Sequence, residues 1–119
     1  MKGYMECYVE RMENNHNVLM KVAEELKGRG CEVYSTKWRS AKQDGYRNYI
    51  LAVKDGKRVF VGFHEVPYGW YVDPDCCARE HEMRFLSENH GYGFPFTIDE
   101  VMERMQYRPK KVDWFYVKL

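Results

Sequence analysis

The dipeptide Asp55-Gly56, set between the apolar runs 48–54 and 57–66, constrains the fold more than any other feature of the chain. Asp-Gly favours a type I′ turn, in which both central residues take positive φ and the backbone twist suits the flanking strands. A two-residue loop fixes the register. Lys54 then faces Lys57, and Ala52/Val59, Ile50/Val61 and Asn48/Phe63 fall on one face. Val53/Arg58, Leu51/Phe60, Tyr49/Gly62 and Arg47/His64 fall on the other. The first face is the candidate core. The second mixes aromatic and cationic groups, and Gly62 leaves room for the Tyr49 ring to lie across the strand. Pro67 and Gly69 predict a turn over 66–69, because proline presets φ for the second turn position, with 70–72 returning as a short strand.

The remaining elements follow from periodicity and capping chemistry. Tyr4, Met5, Tyr8, Val9 and Met12 share a helical face, although Met5, Cys7 and Val9 also suit a strand. The asparagines within 13–17 predict an interruption. Val18, Leu19, Val22, Ala23 and Leu26 then make an amphipathic helix that stops at Gly28 and Gly30. Residues 31–38 alternate as a strand, and 39–45 form a polar connector. The expected meander runs 31–38, 47–54, 57–66 and 70–72. Asp73-Pro74-Asp75 has the chemistry of a helix start, with Asp73 as cap and Pro74 in the first turn, which predicts a helix to about Asn89. Thr97 and Glu100 form a capping box, with Phe96 positioned to staple to Val101, for a short helix ending near Gln106. Residues 112–119 alternate as a terminal strand.

These elements predict an α+β fold, one domain over 1–119: a mainly antiparallel sheet of four to five strands, with three or four helices packed on one face. Ile50, Ala52, Val59, Val61 and Phe63 are expected to be buried against Val22, Leu26 and Phe85. A chain of 119 residues accommodates one hydrophobic core and is short for two.

No apolar run reaches the roughly 20 residues of a membrane helix, and the first residues lack the apolar stretch of a signal peptide, so the reading is no membrane and a cytoplasmic location. In that compartment Cys7, Cys31, Cys76 and Cys77 are expected as free thiols. The net charge of +1 conceals a segregated layout. Residues 37–58 hold seven Lys/Arg against two Asp, 104–119 hold five against Asp113, and 73–103 hold eight acids against two Arg. Such a layout is that of an ordinary solvated surface or of one that steers a docking partner.

Candidate chemistry is sparse. Cys77 and His81 have the i,i+4 spacing that presents two metal ligands from one helix, with Cys76, His64 or His90 to complete a set, but they match no finger pattern and suit packed residues as well. Cys76 at a helix start, with His64 or His81 as base, would be a nucleophile, although Asp73 and Asp75 oppose the thiolate. For the acid pair that hydrolysis needs the sequence offers only candidates, among them Glu65 beside His64. No phosphate loop, serine elbow or HExxH is present, so no catalytic residue, metal or cofactor is assigned and the chain reads as a non-enzyme.

The leading expectation is a small protein-binding module that acts by surface occlusion, in the manner of a regulator, an immunity protein or a phage-encoded inhibitor, with a nucleic-acid-handling protein among its candidate partners. Its surface would be the sheet face and loops bearing Trp38, Arg39, Arg47, Tyr49, Arg58, Tyr68 and Trp70, since aromatic and arginine side chains are the usual interface anchors. The alternative is nucleic-acid binding through the same basic hairpin, with Arg47, Lys54, Lys57 and Arg58 on phosphates and Tyr49 or Phe60 stacking bases. A hydrolase or zinc-site protein ranks last. Against all of these stands a purely structural reading, in which Trp38, Tyr49 and Trp70 form a second small core.

Overall fold

A computed structural model describes residues 4–36, 49–65, 68–75, 83–84, 93–108 and 116–119. In chain order the elements are α1 (Tyr4–Gly28), β1 (Glu32–Thr36), β2 (Tyr49–Lys54), β3 (Lys57–Glu65), β4 (Tyr68–Asp73), β5 (Met83–Arg84), α2 (Ile98–Glu103), β6 (Gln106–Tyr107) and β7 (Tyr116–Lys118). The strands form one antiparallel sheet in the order β5-β4-β3-β2-β1-β7, with β6 also paired to β3.

The β2–β3 hairpin has the register that its turn dictates, from Lys54↔Lys57 to Tyr49↔Gly62. Asp55 and Gly56 both take positive φ, 52° and 77°. The β-branched and aromatic residues of β3 then alternate strictly. Val59, Val61 and Phe63 join Ile50 and Ala52 in the main core, beneath Leu19, Val22, Ala23 and Leu26 of α1. Phe96, Val101 and Met105, in and beside α2, complete this layer, so both helices lie on one face of the sheet. Thr97 and Glu100 make both hydrogen bonds of the capping box, and Phe96 and Val101 are both buried, as a staple requires.

Three expectations change. First, α1 is a single helix of 25 residues rather than two. Asn15 lies on the stripe it shares with Leu19, Val22 and Leu26 and is fully buried, so burial against the sheet overrides its preference for caps. The described residues therefore hold two helices and seven strands, where three or four helices and four to five strands were expected. Second, the helix expected from Asp73 to Asn89 is not formed at Met83–Arg84, which pair with Tyr71 and Trp70 as β5. Asp73 belongs to β4, opposite Phe60, and its carboxylate accepts the Asp75 N–H at 2.8 Å. That local turn uses the same oxygen as a helix cap would, which is why the sequence pattern does not separate them. Phe85 lies outside the described residues. Third, the β3–β4 ladder runs on to His64↔Gly69 and Glu65↔Tyr68, so Tyr68 and Gly69 are strand rather than turn. Positions 66 and 67 lie outside the described residues, as do 112–115 of the expected terminal strand.

The end of α1 is anchored to the hairpin. Gly30, at φ 89°, allows the Gly30 N–H to reach the Lys27 carbonyl and the Cys31 N–H to reach the Leu26 carbonyl, which closes the helix. Lys54 Nζ then donates to the Arg29 carbonyl at 2.7 Å, placing a cation where the helix dipole favours one. Arg29 in turn pairs with Asp99 of α2 at 2.7 Å. No described helix is long and apolar enough to cross a membrane.

Candidate interaction surface at the hairpin tip

The seven residues of the sequence-based surface do not form one patch among the described residues. Trp38, Arg39 and Arg47 lie outside them, and Tyr68 is known only as a residue of β4. Trp70 is a correction: it is wholly buried in the helix-covered core, opposite Phe63, in edge-on contact with Phe63 at 5.3 Å and Phe94 at 5.2 Å between ring centroids. Its strand position decides this, because residues 70 and 72 share the face of Phe63 and Val61 while 71 points to the other. Tyr49 and Trp70 therefore lie on opposite faces, and the two do not form a second core together.

Tyr49 and Arg58 are on the second face. There Leu51, Phe60 and Tyr71 are buried, with Tyr34, Tyr49 and Val53 packed around them. The Tyr49 ring is 6.1 Å from that of Phe60, and the Arg58 guanidinium lies 5.4 Å over the same ring. Arg58 also donates Nε to the Pro74 carbonyl at 3.0 Å and a terminal nitrogen to Asp75 Oδ1 at 3.2 Å. It is a half-buried structural cation, so reversing its charge would disturb the sheet as well as any surface.

Its partner Asp75 marks a seam. β4 leaves the sheet at Pro74, which has no N–H for the ladder, and β6 takes over the same side of β3 at Lys57↔Tyr107 and Arg58↔Gln106. Arg108, next in the chain, donates Nε to Asp75 Oδ1 at 3.1 Å and a terminal nitrogen to Oδ2 at 2.9 Å, a two-pronged bond. The Arg108 N–H also bonds the Gly56 carbonyl at 3.2 Å. The Asp75 carboxyl is lowered to about 2, above all by the hydrogen bonds from Arg108, with further help from Arg58. A carboxylate with a depressed folded-state pKa stabilises the fold above its unfolded value near 4, and that stabilisation is lost as pH falls through about 2. Asp75→Asn should accordingly lower the melting temperature at pH 6, and its deficit relative to the unaltered chain should narrow as pH falls from 4 to 2. A deficit independent of pH would mean that the side chain acts through packing alone.

The seam puts a different set of side chains at the surface. Tyr107 is 65% exposed, the most exposed large apolar side chain among the described residues. Its ring rests on the turn: a Cβ at Gly56 would lie 3.0 and 3.1 Å from two of the ring carbons. Gly56 is favoured by its positive φ, and a side chain there would also displace the ring above it. Gly56→Val should destabilise the hairpin by about 2 kcal/mol or more, read by thermal unfolding. Across the ladder the row Lys54–Lys57–Tyr107 shares one side of the tip, and Val53–Arg58–Gln106 shares the other. The Lys57 side chain is exposed and makes no ion pair or hydrogen bond among the described residues. Tyr107 was not picked out by sequence reasoning. Its short strand has no periodicity to detect, and only pairing with β3 brings it to the turn.

Among the described residues no group of three or more His, Cys, Asp or Glu could hold a metal ion. Cys76, Cys77, His81 and His90, from which a site would have been built, lie outside them, and of His64 and Glu65 only the strand is described. Cys31 is buried, its thiol raised above the ordinary value by desolvation, with its sulfur 3.7 Å from that of Met102. That is a packed cysteine. Fold and surface together define an antiparallel α+β protein with a cationic, aromatic hairpin tip. No family model matches the chain, and neither the curated proteins nor the solved structures include a significant match to it.

Proposed function

We propose that the protein is a binding module that acts by occupying the surface of another protein, of the regulator, immunity or phage-encoded inhibitor kind. The observation that carries this is the Tyr107 ring, two-thirds exposed yet held on Gly56 at the junction of two paired strands. An aromatic side chain fixed before binding loses little freedom on docking, which makes it an efficient anchor. The anchor sits on regular structure rather than on a loose loop, with Lys57 beside it and the Arg58–Asp75–Arg108 cluster behind it.

A nucleic-acid reading draws on the same ring, since a tyrosine with a free face beside a lysine is also a platform for a base. Tagged full-length chain should retain a protein partner from native lysate after nuclease treatment, and Tyr107→Ala should lower that capture at least tenfold without changing the melting temperature. Capture abolished by nuclease would favour the nucleic-acid reading. Capture unaffected by Tyr107→Ala would remove the tip from the interface.

A further inference from the structure

The tip contains an electrostatic arrangement that folding alone does not explain. Lys54 and Lys57 stand directly opposite each other across the two-residue turn, a like-charge pair that works against the hairpin. Lys54 is turned away to the Arg29 carbonyl, whereas Lys57 keeps its charge exposed, flanked on its other side by the ring of Tyr107. The cluster behind them adds no excess charge, because Arg58 and Arg108 share Asp75 and Arg108 is also close to Asp73. An exposed cation next to a fixed aromatic ring calls for an anionic counterpart.

Resting on the protein-binding reading above, we infer that the partner is an acidic protein surface that places a carboxylate on Lys57 and an apolar contact on Tyr107. Phosphate and carboxylate differ here in how their charge is spaced. A nucleic-acid backbone carries negative charge continuously, and the exposed Asp55 in the turn would meet it beside Lys57. A protein surface can set a carboxylate against Lys57 and leave a neutral group against Asp55. Asp55 beside Lys57 therefore favours a protein surface with a localised carboxylate over a continuous polyanion.

The test uses a water-soluble carbodiimide, which joins a lysine amine to a carboxylate only where the two are in contact. The reagent activates the carboxyl group, the lysine nitrogen attacks it to form an amide, and the reagent leaves as its urea. Treated with the carbodiimide in nuclease-digested native lysate, the full-length chain should give a covalent protein adduct whose amide maps by mass spectrometry to Lys57. Lys57→Arg should keep non-covalent capture but lose that adduct. Lys57→Glu should weaken capture at least tenfold, and raising the salt from 50 to 500 mM should weaken capture by the unaltered chain. Nuclease-resistant capture with amide links only at other lysines would overturn the inference while leaving the protein-binding reading intact. Absence of any nuclease-resistant capture would overturn both.

Discussion

Phe63→Ala is expected to destabilise the protein by about 3 to 5 kcal/mol, seen as a melting temperature lower by roughly 10 °C or more. Phe63 is 3% exposed on the helix-covered face, paired with Trp70 of β4 and in ring contact with it. Removing the ring forfeits its transfer energy and opens a cavity between two strands held on both sides by ladders, where the backbone has little freedom to collapse. An unchanged melting temperature would mean that the helix-covered face has been misassigned.

Trp70→Ala is the second large effect, again about 3 to 5 kcal/mol. Its side chain is fully buried between Phe63 and Phe94, and Phe94 leads on to Phe96, so the indole joins the sheet to the segment that enters α2. The indole N–H is buried and has no hydrogen-bond partner among the described residues. A buried unpaired donor costs free energy, which separates two variants: Trp70→Phe removes that donor along with part of the ring and should be much milder than Trp70→Ala. Because the Phe63 and Trp70 rings touch, the double variant Phe63→Ala/Trp70→Ala should lose less than the sum of the two single losses. Equal destabilisation by Trp70→Phe and Trp70→Ala would show that the N–H makes a bond that matters. A loss of partner capture by Trp70→Phe at unchanged stability would return Trp70 to the working surface.

The hairpin and its two faces were legible in the sequence because their causes are local. Asp55-Gly56 admits one turn, the turn admits one register, and alternation then assigns Val59, Val61 and Phe63 to one side and Phe60 and Arg58 to the other. The capping box at Thr97 and the stop at Gly30 are equally local, each being satisfied by hydrogen bonds within a few residues. The antiparallel α+β class followed from the order of these signals.

What only the tertiary structure decided are the points where distant segments compete for the same groups. Asn15 reads as a cap until a buried stripe claims it, and 73–89 reads as one helix until Met83 and Arg84 pair with β4. Trp70 reads as an exposed anchor until its register with Phe63 turns it into the core. Tyr107 carries no signal of its own, and its exposed ring comes to the turn because β4 departs at Pro74 and β6 takes the vacated edge of β3 above Gly56. Propensity and turn chemistry act over a few residues, whereas burial and strand pairing are settled between segments far apart in sequence, and there the larger energy prevails over the local preference.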